Sequence, residues 1–104
     1  MITSTTPDIP GKKIAKSLGI ARGSTVRTRN IGRDIMAAFK NIAGGEIKSY
    51  TQLMADAREQ ALQRMIEDAK RMQADGVCNV RFTTSTVMAG AAEILAYGTA
   101  VTLE

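Results

Sequence analysis

The sequence predicts an α+β domain: an antiparallel sheet with two helices on one face, in the order β-β-α-α-β-β. Three observations carry this. Apolar residues recur at helical spacing through 49–75. Two segments rich in Val, Thr, Ile and aromatic residues follow, at 77–87 and 93–103. Two further extended segments precede the helices, separated by the turn-forming "PDIPG" at 7–11. The 104 residues suit one domain covering 1–104. A domain this small buries roughly two-thirds of its unfolded surface, a modest core that gains from neighbouring subunits.

The opening "MITSTT" reads as a short strand, because Ile and Thr favour the pleated form. Residues 12–28 read as a strand or bent strand pair. Ile14, Leu18, Ile20 and Val26 share one parity, with Lys16 and Arg22 as exceptions, and Gly19 and Gly23 permit a bulge or bend. A first helix is expected over 30–45. Asn30 caps it, Ile31, Ile35, Ala38, Phe39 and Ile42 recur at helical spacing, and Gly44–Gly45 stop it. The second helix is expected over 49–75. Ser49 and Gln52 have capping-box spacing. Leu53, Met54, Ala57, Ala61, Leu62, Met65, Ile66, Ala69 and Met72 form its apolar stripe. Glu67 can pair with Lys70 or Arg71, and Gly76 ends the helix. A turn around Gly90 joins the last two strands.

The final strand is apolar on both parities. Ile94, Ala96, Gly98 and Ala100 lie on one, and Leu95, Tyr97, Val101 and Leu103 on the other. The helices cover one face only. The second face is expected to meet another subunit, since monomers rarely keep a large exposed apolar patch. The alternative is that the loops at 7–11 and 88–92 fold over it.

The charge is uneven. Residues 1–48 carry nine Lys/Arg against three Asp/Glu, and residues 49–104 carry five against seven. The segment 26–34, "VRTRNIGRD", is the densest basic stretch, and it lies at the start of the first expected helix, where anions are favoured. Aromatic residues are only 4% with no Trp, which argues against single-stranded nucleic acid and against a flavin. No apolar run approaches the ~20 residues of a membrane span. The N-terminus lacks the basic and apolar stretches of a signal peptide, so a cytoplasmic location is expected.

Several chemistries are excluded. With no histidine there is no Ser–His–Asp triad. Neither a phosphate-binding loop of the G-x-x-x-x-G-K-[ST] type nor a G-x-G-x-x-G turn occurs. No enzymatic activity is expected, because the usual general base is missing. Cys78 is the lone cysteine. It alternates in step with Val80 and Phe82, while Asn79 and Arg81 point the other way, so it reads as core filler. The metal reading of Cys78 would need thiolates from several subunits to converge on a soft ion. Asp34, Glu46, Asp75 and Glu93 are the candidate oxygen ligands.

Several blocks resemble the YbjQ family of small prokaryotic proteins. They are the opening "TTPDIPGKKI", the middle "RNIGRDIMAAFKNIAGGEIKSYTQLM", then "ADGVCNVRF" and "YGTAV". The specific part is the middle, with Arg33–Asp34, Gly44–Gly45–Glu46, Tyr50–Thr51 and Ala57–Arg58. The resemblance covers nearly the whole chain. It implies an α+β subunit assembled into a ring, commonly a homopentamer, and it brings the label of heavy-metal binding.

Two functions follow as expectations. The first is an oligomeric binding protein for a heavy metal ion or small anionic ligand at subunit interfaces, near Arg33, Asp34, Glu46 and Tyr50. There the alternative is that Arg33–Asp34 and Glu46 form interface ion pairs. The second is a non-enzymatic scaffold whose ring presents a surface to another macromolecule.

Overall fold

The computed structural model describes residues 1–27, 45–88 and 91–104. They form β1 (Ile2–Thr3), β2 (Ile14–Arg27), α1 (Gly45–Arg71), β3 (Gly76–Met88) and β4 (Ala91–Leu103). The strand order across the sheet is β1-β3-β4-β2. β4 pairs antiparallel with both β2 and β3, and β1 pairs parallel with β3.

This corrects the expected antiparallel sheet with two helices. The sheet is mixed, and the described residues hold one helix, in the order β-β-α-β-β. The physical reason lies in the first thirteen residues. Val80 N–H donates to Ser4 O and Asn79 N–H to Thr6 O, each at 2.9 Å, so the N-terminal segment runs alongside β3 in the same direction. The chain then crosses from that edge to the opposite edge before β2 begins. Pro7 and Pro10 within the crossing lack the N–H that a hairpin ladder uses. The helix expected over 30–45 falls on 28–44, outside the described residues, except for Gly45. Gly45 opens α1 rather than ending a helix. The turn expected around Gly90 also lies outside them.

α1 packs on β2 and β4 through a row of fully buried residues four apart: Ala57, Ala61, Met65 and Ala69. Three small side chains in that row let the helix come close, and Gly23 completes the approach. A Cβ at Gly23 would lie 2.2 Å from Met65 N, 2.5 Å from Arg64 C and 2.6 Å from Ala61 O. Helix backbone therefore rests on strand backbone. On either side of this contact, Ala21 and Thr25 are buried, and the Thr25 hydroxyl donates to Ala57 O at 3.2 Å. Two helix side chains reach past β2 to its outer edge. Asp68 Oδ2 accepts from Arg22 N–H at 3.0 Å, and Arg64 Nη1 donates to Ser24 O at 2.5 Å. They satisfy backbone groups that an edge strand otherwise leaves open.

The ends of α1 differ from the sequence expectation. The helix starts four residues before Ser49, and Gln52 Nε2 donates forward to Asp56 Oδ1 at 2.9 Å instead of capping. At the C-terminus the stop is Gln73, not Gly76. Gln73 has φ 63°, its N–H donates to Lys70 O at 3.0 Å, and Ala74 N–H donates to Ala69 O at 3.1 Å. That pair of bonds is a Schellman closure with glutamine in the left-handed position. Gly76 begins β3, where a Cβ would lie 2.8 Å from both Ile2 O and Ile9 Cδ1. The observed helix ion pair is Asp68–Arg71, at 3.3 Å, rather than one with Glu67.

The second face of the sheet is covered at one end by the 4–13 crossing. Ile9 is 2% exposed and packs with Cys78, Val101, Ile14 and Leu103. At that end the 7–11 loop covers the face, while 89–90 of the second expected loop lie outside the described residues. Further along the same face Ile20, Val26 and Tyr97 stay exposed. Phe82 is exposed on the α1 side, because the helix lies toward β2 and β4. The chain is long, 55 × 26 × 18 Å, with a radius of gyration of 16.8 Å. A compact domain of this length has about 13 Å.

Two stability outcomes follow. Gly23→Ala forces strand and helix backbones apart and lowers unfolding free energy by about 1–3 kcal/mol, read from the urea midpoint at unchanged slope. Gln73→Gly relieves the left-handed residue and raises stability by about 0.5–1 kcal/mol, read as a higher Tm.

Candidate functional site

β3 contains a bulge that decides where Cys78 points. Cys78 pairs with Thr99 and Arg81 with Tyr97, so Asn79 and Val80 together oppose Gly98. Asn79 takes φ 55° to make the extra step. Gly98 makes room for it: a Cβ there would lie 2.6 Å from Val77 Cγ1 and 2.8 Å from Cys78 O. The bulge breaks the alternation. Val80 joins the core beneath α1, whereas Cys78 faces the other side and packs with Ile9 and Val101. The expected core role of Cys78 agrees with its burial, yet the parity argument that led there fails at Asn79. The thiol is free and 3% exposed.

The other expected site residues are spread differently. Arg33 and Asp34 lie outside the described residues. Glu46 and Tyr50 fall in the first turns of α1, four residues apart. Asp75 is occupied structurally, because its Oδ2 accepts from Leu103 N–H at 2.8 Å. Glu93 faces a cleft.

That cleft, about 490 Å³, runs along the outer edge of β2 and is lined by Arg22, Gly23, Ser24, Arg64, Glu67, Arg71, Glu93 and Leu95. Register explains its two walls. Arg22 lies opposite Tyr97, Ser24 opposite Leu95 and Val26 opposite Glu93, all on the face away from α1. Arg64, Glu67 and Arg71 come from the exposed flank of α1, on successive turns. Arg64 is held on Ser24 O and Arg71 on Asp68. The Arg22 guanidinium has no hydrogen bond or ion pair among the described residues. Arg22, Arg64 and Arg71 stand here with Glu67, Glu93 and the Asp68 that pairs Arg71, so the charges balance, and Arg22 is the cation left to meet an anion. The sequence held one trace of it: Arg22 breaks the apolar parity of its segment. The meeting of residues 22 and 64, forty-two positions apart, has no local signal.

Among the described residues the donors do not fit a heavy-metal centre within one chain. The chain has no histidine, and its one thiol lies under Ile9. Among the described residues no three Cys, Asp or Glu side chains cluster. No described helix is long and apolar enough to cross a membrane.

Comparison with known proteins gives a consistent picture. The family model YbjQ_1, described as "Putative heavy-metal-binding", matches residues 1–104. A UPF0145 protein of Halorubrum lacusprofundi is 59% identical over 103 residues, covering 99% of each chain. One from Methanosarcina acetivorans is 57% identical, covering 97% of this chain and 95% of the relative. The fold is similar to a crystal structure from Pediococcus pentosaceus, a protein with unknown function of the DUF74 family. Its TM-score is 0.66 at 16% identity, covering 100% of this chain and 98% of that one.

Replacing Cys78 separates packing from ligation. Cys78→Ser places a hydroxyl in an apolar pocket and costs about 1–3 kcal/mol in denaturant unfolding. Cys78→Ala leaves the metal content per subunit unchanged by elemental analysis; a drop to zero from a stoichiometric value would make the thiol a ligand.

Proposed function

The chain belongs to the YbjQ family, and from that membership we propose that it is a non-catalytic, oligomeric binding protein whose cleft beside β2 takes a small anion. The observation that supports it is the convergence of Arg22, Arg64 and Arg71 on one cleft, with Arg22 unpaired among the described residues. Arg64 is held in place by the uncharged Ser24 O, so an arriving anion meets one cation already positioned beside Arg22. The heavy-metal label of the family has weaker support in this chain, since its donor set is poor in the soft ligands such ions take.

Assembly into a ring of identical subunits, a pentamer by resemblance, is part of the proposal, and so is a cytoplasmic location. Ile20, Val26 and Phe82 are apolar and exposed, and a neighbouring subunit would cover them. The elongated subunit supports this, because a long sheet of small volume leaves much apolar area outside its own core. Val26 lies opposite Glu93 of the cleft, so the anion would sit at the margin of that contact. Arg33, Asp34, Glu46 and Tyr50 remain proposed as ligand residues at a subunit interface, apart from this cleft. A scaffold role is the second reading, and the same exposed apolar side chains favour it.

Native mass spectrometry of the untagged protein, with calorimetric titration of inorganic phosphate at low ionic strength, tests this. The expected result is a closed oligomer binding one phosphate per subunit, at least tenfold more weakly in Arg22→Gln and more weakly as salt rises. A monomer, or no heat with phosphate, sulfate or simple carboxylates, would sink the proposal.

A further inference from the structure

The two edges of the sheet are finished differently. On β2, Asp68 and Arg64 occupy Arg22 N–H and Ser24 O. On β3, the N-terminal arm reaches only as far as Val80. Ile2 and Thr3 pair with Gly76 and Val77, and Val80 N–H donates to Ser4 O at 2.9 Å. Since Val80 N–H points to that edge, strand alternation turns the N–H and C=O of Phe82, Thr84 and Thr86 the same way. Among the described residues no backbone partner meets these groups on that side. The ladder with β4 is regular from Arg81↔Tyr97 to Thr86↔Ala92, so the stretch is well-formed strand with one side open. Residues 81–86 are all exposed.

Open edges are normally guarded by charge, by proline or by a bulge. The stretch 82–86, Phe-Thr-Thr-Ser-Thr, has no charge and no proline, and it is rich in strand formers. The charge next to it is tied back: Arg81 Nη1 donates to Thr5 O and Val80 O, both at 2.8 Å. Such an edge suits an uncharged strand, and the same stretch in a second copy is one. We propose that β3 pairs antiparallel with β3 of a second copy, about a twofold axis at Thr84. Phe82 of each copy then lies opposite Thr86 of the other, Thr84 meets its own counterpart, and each exchanges backbone hydrogen bonds with the residue it faces. Threonines facing across the axis make a favourable pair, and no like charges meet. The added strand also shields the exposed Phe82 ring. The contact does not rest on the anion cleft, which lies along the β2 edge. It joins subunits two by two. Where a ring forms through other surfaces, rings meet in pairs and the number of subunits is even.

Native mass spectrometry and sedimentation velocity of the full chain test this. Thr84→Lys and Thr84→Glu each set like charges against one another on the axis. Each variant alone is expected at half the mass of the unaltered assembly. An equimolar mixture restores the full mass as mixed pairs, because Lys then faces Glu. Circular dichroism confirms the fold of each variant. If neither folds, Thr84→Cys carries the test: opposed Cα atoms about 5.5 Å apart allow a disulfide between copies under a mild oxidant. The unaltered chain, whose Cys78 is buried, forms no such bond. An odd number of subunits in the unaltered protein, an unchanged mass in both charged variants, or a mixture that does not recombine would overturn the twofold contact. Absence of the disulfide in Thr84→Cys would do the same.

Discussion

The structure depends on one contact, the resting of α1 backbone on Gly23. A sheet and a helix usually meet through layers of side chains. Here the strand contributes no side chain at the contact, and the helix contributes three alanines and one methionine. The closeness sets the position of everything around it. It brings Ala57 O within reach of the Thr25 hydroxyl, and it carries Asp68 and Arg64 to the outer edge of β2. Arg64 is then in place to line the cleft with Arg22. A helix held further from the sheet would lose the edge closure and the cleft together.

The alanine-rich stripe of α1 and the two long C-terminal strands were legible in the sequence, because their periodicity is local. The sheet's edges were not. β1 lies parallel to β3 on the strength of a few backbone bonds from Ser4 and Thr6, which no side-chain pattern encodes. Period-two reasoning also failed at Asn79. A bulge adds one residue and reverses the facing of all that follow, and asparagine in a strand is a weak sign of it. The end of α1 misled for a related reason. Gly76 offered itself as a stop, but Gln73 already holds the left-handed position, and Gly76 is reserved for close packing against Ile2 and Ile9.

The candidate site was the least legible part. The sequence drew attention to the dense arginines of 26–34, whereas the described cleft is made by Arg22 with arginines from a helix more than forty residues away. Clusters that arise from tertiary approach leave no mark on spacing. Cys78 shows the converse. Its chemistry is unusual in this chain, yet its surroundings are ordinary: an isoleucine from a crossing loop closes over it, and it fills space beside Val101.

That crossing has a consequence for the order in which the fold is made. β1 is synthesised first, but its partner β3 comes more than seventy residues later, and β2 must wait for β4. Among the described residues neither early strand has a partner in its own half of the chain. The adjacent β3 and β4 are the natural starting hairpin, with α1 just before them. Only once β4 has been made can β2 dock on one side, and the N-terminal arm then pass over the finished face and settle against β3. Until that moment both early strands travel as unpaired extended chain, with Ile2, Ile9, Ile14, Leu18 and Ile20 in the open. The lysines at 12, 13 and 16 sit among them, where like charges keep nascent copies apart.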